Sequence, residues 1–166
     1  MGSIMYARIL MAALLGGLAG CVAAPKINST FNASEAAFIH QQGRGTIKGQ
    51  AFLRRNDGMV VYAAGSDVVL IPKTTYSSER INALYQGNKI NYFVPSPASP
   101  PGFEESMKKT RANGEGRFEF ANLADGDYYV VTKVVWLAGN ASQGGALMEQ
   151  VSIRQGSAVE IIMTGQ

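Results

Sequence analysis

From Gly116 to Val131 the chain reads Gly-Arg-Phe-Glu-Phe-Ala-Asn-Leu-Ala-Asp-Gly-Asp-Tyr-Tyr-Val-Val, and this stretch limits the fold more than any other. Phe118 and Phe120 alternate with Arg117 and Glu119, the period of a strand with one buried face. Asn122 to Asp127 supplies turn chemistry, with Asp125-Gly126 expected to take the positive φ of a reversal. Tyr128 to Trp136 is then β-branched and aromatic almost throughout. The combination predicts a hairpin-like corner inside an all-β domain. Tyr128, Val130, Thr132, Val134 and Trp136 are expected in the core, with Tyr129, Val131, Lys133 and Val135 on the outer face.

The other strands are placed relative to this corner. Thr46 to Leu53 alternates, with Ile47, Ala51 and Leu53 on one side, and Gly45 and Gly49 leave room for a close neighbour. Asn56-Asp57-Gly58 is a turn before a short strand, 59–62. Val68 to Ile71 is apolar on both faces, which predicts a central strand covered on two sides, ended by Pro72. Ile81, Leu84 and Tyr85 have helical spacing, so one short helix over 74–85 is expected, capped by Ser77 or Ser78. Gln86 to Phe103 reads as a long loop holding Pro95, Pro97, Pro100 and Pro101. A strand at 106–112 follows, then, past the opening stretch, a glycine-rich loop over 137–145. A hairpin of 147–153 with 159–163 closes the chain. Seven or eight short strands at regular spacing predict an antiparallel β-sandwich with one short helical excursion.

Ahead of the domain, Arg8 is the one charge before an apolar run, Ile9 to Ala19. The run is too short for a helix across a bilayer core of ~30 Å and has the layout of a secretory leader. Leu18-Ala19-Gly20-Cys21 resembles the lipobox of bacterial lipoproteins. That resemblance implies cleavage before Cys21, the chain's single cysteine, and acylation of its thiol. Two or more acyl chains hold a protein stably on a membrane. Val22 rather than Asp follows the cysteine, which in Gram-negative lipoproteins implies the outer membrane, with the inner membrane as the alternative. The expected organisation is a leader at 1–20, a lipidated tether at 21–43 and the sandwich at 44–166. The tether is expected to be a solvated spacer, with a weak helix at 34–40 as the less favoured reading.

Three groups of residues carry a family resemblance: Gly45, Ile47 and Gly49; Val68, Leu70 and Pro72; Gly116, Phe118, Phe120, Leu123, Gly126 and Tyr128. In that order they resemble the carboxypeptidase regulatory-like domain, one of the transthyretin-like or prealbumin-like sandwiches. The resemblance covers about 44–163 and implies the fold, because every matched position is a core apolar, a turn glycine or a strand end. It also suggests that Tyr128 buries its ring while its hydroxyl bonds a nearby backbone group.

Chemistry is sparse. His40 is the only histidine and lies in the expected tether, so no catalytic residues, no transition-metal site and no cofactor are expected. Asp125 and Asp127 lack the longer ligand series of a calcium loop. Net charge is +3 and dispersed, which argues against a nucleic-acid partner. The expected function is a non-catalytic protein-binding or structural module of the envelope, outer-membrane anchored and facing the periplasm. Its partners are membrane lipid through Cys21 and an envelope protein met by Tyr85, Tyr92 and Phe93. Two alternatives stand beside it: an accessory subunit of an envelope-spanning secretion machine, and a carbohydrate- or peptidoglycan-binding module.

Overall fold

Phe118 and Phe120 are buried on β6 (Arg117–Leu123), and Tyr128, Val130 and Val134 are fully buried on β7 (Gly126–Ala138). The two strands nevertheless lie in different sheets, so the stretch between them is a corner that carries the chain across the core rather than a hairpin. These features come from a computed structural model of the chain, which describes residues 23–92 and 94–166. The expected all-β sandwich with a short helical excursion is what the chain forms.

One sheet contains β1 (Gln42–Arg54), β2 (Val60–Tyr62), β6 and β9 (Ala158–Met163). Ala51 donates its N–H to Gly116 O and accepts from Ala63 N–H. Both backbone groups of one strand residue point to the same edge, so β6 and β2 follow one another along that edge of β1. The other edge takes β9, in parallel, from Thr46↔Ala158 to Ala51↔Met163. The expected closing hairpin is therefore corrected: the strand after β8 (Ala141–Ile153) crosses to the opposite sheet. The second sheet runs β4 (Ile90–Asn91), β8, β7, β3 (Asp67–Pro72) and β5 (Lys108–Arg111), all neighbours antiparallel. The expected loop at 137–145 is largely strand, since the β7–β8 ladder continues through Leu137↔Ser142 to Ala138↔Ala141.

The main core lies between the sheets. Gly126 does not take the positive φ expected of it; Asn122 does, at 56°. Gly126 serves by having no side chain, since a Cβ there would run into the Phe38 ring, which packs edge-on to Tyr128 at 5.3 Å. The Tyr128 hydroxyl donates to Ala124 O at 2.8 Å, as the sequence suggested.

A second cluster lies on the far side of the five-stranded sheet, beneath α2 (Thr75–Tyr85). The cap of α2 is Thr74 rather than Ser77 or Ser78. Its hydroxyl accepts from Ser77 N–H at 3.1 Å, while Thr74 N–H donates to Ser77 Oγ at 2.8 Å. Tyr129 does point to the outer face of β7 but is buried there, 5% exposed, because α2 covers it. The segment read as a solvated spacer also packs. Ala36 and Ile39 are buried around α1 (Ala33–Ala36) and the 3-10 turn after it. Phe31 sits edge-on to Tyr76 and Phe103. Ile27, Phe31, Phe38 and Ile39 together bury too much apolar area for a chain in water to leave exposed.

Candidate binding sites

The expected loop at 86–103 contains β4, and its proline-rich part after β4 is held from below by Arg80 of α2, only 7% exposed. Its two terminal nitrogens donate to Tyr76 Oη (3.1 Å), Ser96 Oγ (2.8 Å), Pro97 O (2.6 Å) and Ala98 O (3.3 Å). The guanidinium also lies over the Phe103 ring, 5.3 Å from its centroid. Asn91 secures the start of the loop, accepting from Val94 N–H at 2.8 Å.

This arrangement separates the residues expected to meet a partner. Tyr85 is 4% exposed, packed in the cluster under α2, and burial pushes its phenol pKa up. Tyr92 is 64% exposed and stands at one end of the sandwich. Phe93 lies outside the described residues, as do Cys21 and the lipobox residues Leu18, Ala19 and Gly20.

Tyr92 forms one wall of an end cleft of about 400 Å³, which is also lined by Arg54, Arg55, Asn56, Asp57, Trp136 and Gln143. Four segments of the chain build it. The β1–β2 turn closes through Arg55 N–H to Met59 O (2.8 Å) and Gly58 N–H to Arg55 O (2.9 Å). Asp57 accepts from Met59 N–H at 3.1 Å and pairs with Arg55 at 2.7 Å. Opposite, Trp136 is half-buried, packed against the core on one side and facing the cleft on the other. Its cross-strand partner is Gln143, and the neighbouring Gly144 has φ of 100°. A Cβ at Gly144 would run into Val134 O and lie 3.0 Å from the indole, so only glycine leaves space for the ring at this position. The inward Trp136 of the sequence reading is therefore both core and wall. The cleft was not visible in the sequence, because its walls come from four separate segments.

A second recess runs along the outer face of the five-stranded sheet. Its larger chamber, about 540 Å³, is lined by Val94, Val131, Lys133, Val135 and Ala146 among others. A smaller one of about 180 Å³ is lined by Arg80, Ile81, Ser99 and Phe103 among others. Leu84, Tyr85, Ser96 and Val131 border both, so the two chambers adjoin.

No protein-family model matches the sequence, and no curated protein sequence matches it. Among solved structures, the chain resembles a "putative carbohydrate binding protein" of Pseudomonas aeruginosa. The TM-score is 0.71 at 23% identity, over 84% of this chain and 99% of that one. It also matches the pilus 2b backbone protein of group B streptococcus at a TM-score of 0.39 and 16% identity, over 72% of this chain and 40% of that one. The first likeness establishes a shared sandwich fold. No helix among the described residues is long and apolar enough to cross a membrane.

Proposed function

We propose that this chain is a non-catalytic carbohydrate-binding module of the cell envelope, anchored through acylated Cys21, and that the end cleft takes the glycan. One observation carries the reading: an exposed tyrosine and a tryptophan line a cleft whose other walls include Arg54, Arg55, Asn56, Asp57 and Gln143. A sugar ring presents an apolar C–H face, which an aromatic ring covers, and a rim of hydroxyls. Planar amide, carboxylate and guanidinium groups can meet those hydroxyls with paired donors and acceptors. Ligand sites combine apolar walls with a few convergent polar groups in this way. The name carried by the Pseudomonas aeruginosa neighbour accords with it. A protein-docking surface centred on Tyr85 is less favoured, because that ring is already packed under the loop. The lipid anchor rests on the lipobox resemblance and would hold the module beside envelope polysaccharide.

The test is co-sedimentation with purified peptidoglycan sacculi and affinity electrophoresis in soluble polysaccharides. Tyr92 is exposed, so Tyr92→Ala leaves the fold intact and is expected to weaken glycan binding at least ~10-fold, the loss of one stacking contact. Absence of retention by every polysaccharide, or full retention by the Tyr92→Ala protein, would reject the reading.

A further inference from the structure

We propose that the recess between α2, the proline-rich loop and the outer face of the five-stranded sheet is a second binding site, for a single-chain amphiphile with a carboxylate head. The head is placed against Arg80 and the chain along Val131. Charge comes first. Arg80 is only 7% exposed, yet none of the ion pairs among the described residues includes it. Its four hydrogen bonds go to neutral oxygens and all leave from the two terminal nitrogens, so none of them uses Nε–H. A guanidinium out of water is stabilised most by an anion, and Nε–H is the donor left to bond a carboxylate oxygen.

Shape and lining come second. Chambers of about 180 and 540 Å³ are many times the ~30 Å³ share of one water, room enough for a hydrocarbon chain. The walls are mainly apolar, with Leu84, Val94, Val131 and Ala146 prominent. The charged side chains on the two chambers are Arg80 and Lys133, both cationic. An apolar trough that carries only positive charge fits a hydrocarbon chain ending in an anion. It does not fit a neutral sugar, which separates this site from the end cleft.

The experiment uses the full chain carrying Cys21→Ser, purified without detergent so that no amphiphile competes. Titration with dodecanoate below its micelle concentration, followed by calorimetry, is expected to show one saturable site. Dodecanol and dodecyltrimethylammonium should bind at least ~10-fold more weakly, a difference of about 1.4 kcal/mol. Val131→Trp, which fills the trough from the sheet face, should abolish binding. If that variant fails to fold by circular dichroism, Ala146→Trp takes its place. No saturable dodecanoate binding would overturn the proposal, as would dodecanol binding equally well. Displacement of a bound fluorescent probe by an apolar peptide but not by dodecanoate would assign the trough to a protein and overturn it too.

Discussion

Replacing Arg80 by methionine removes the guanidinium while keeping an unbranched apolar stem in the same space. Hydrogen bonds to a charged group contribute roughly 1.5–3 kcal/mol each when their partners stay dry, so four would give a large gross figure. Most of it is recoverable. Ser96 and Ala98 are exposed and Pro97 half-buried, and water can reach their oxygens once the loop lifts. What water cannot replace is the bond to the buried Tyr76 hydroxyl, about 1–2 kcal/mol. The contact with the Phe103 ring adds about 0.5–1 kcal/mol. The expected loss is about 1.5–3 kcal/mol in urea denaturation, or about 3–12 °C in Tm for a domain of this size. Limited proteolysis should show faster cleavage within residues 94–99, because the loop opens before the sandwich does. Arg80→Lys should recover only part of the loss, since an ammonium cannot reach four oxygens in a plane. A change under ~0.5 kcal/mol with an unaltered cleavage rate would refute the idea that Arg80 holds the loop.

Four further outcomes follow from other parts of the chain. Tyr128→Phe deletes a buried hydroxyl bonded to Ala124 O and should cost about 1 kcal/mol by chemical denaturation with no loss of glycan retention. The Tyr128 phenol, raised to about 12 chiefly by burial and then by Asp125, should stay protonated in ultraviolet titration until the alkaline transition. Glu79 is held down at about 2, first by the adjacent Ser29 side chain and then by the Asn28 and Ser29 backbone N–H groups. Ser29 Oγ makes no hydrogen bond of its own, so the N–H bonds at 2.7 and 2.8 Å are the firmer cause. A depressed carboxyl stabilises above its unfolded pKa, near 4.3, and that stability falls away as pH drops from about 5 towards 2. Amide exchange at Asn28 and Ser29 should accelerate over that window, and Glu79→Gln should flatten the dependence. Cys21→Ser should release the protein from membrane fractions; unchanged fractionation would reject the lipid anchor.

Much of the sandwich is legible because strand alternation survives into burial. Phe118, Phe120, Tyr128, Val130 and Val134 all point where their period puts them. The same alternation specifies a face but not an edge. Nothing in Ala158–Met163 distinguishes pairing with β8 from a crossing to β1, and the crossing won. The covering of Tyr129 had a readable signal. A strand apolar on both faces, the argument used for β3, applies equally to Tyr129, Val131 and Val135 on β7. The packing of 27–40 was signalled only by Ile27, Phe31, Phe38 and Ile39, spread through a stretch of small and polar residues. Arg80 gave no signal, since a charged residue between helical apolar positions reads as surface. Three of its acceptors, the Ser96 hydroxyl and the Pro97 and Ala98 carbonyls, lie sixteen to eighteen residues downstream.

Those carbonyls explain why the loop is rich in proline. Pro95, Pro97, Pro100 and Pro101 carry no backbone N–H, so this stretch has more acceptors than donors. A guanidinium is the inverse, five donors and no acceptor. Arg80 and the loop therefore complete one another, and prolines also reduce the entropy the loop loses on ordering. The loop is a wall rather than an idle insertion, and it walls both recesses: Tyr92 faces the end cleft, while Val94 and Ser96 face the trough. Deleting 87–103 would consequently open both sites at once and expose the apolar surface under α2, so loss of any ligand would follow without saying which site held it. Point changes on opposite sides of the wall separate them. Tyr92→Ala should remove glycan and spare dodecanoate, and Val131→Trp should do the reverse. If either variant abolished both ligands, the two recesses would have to be one site.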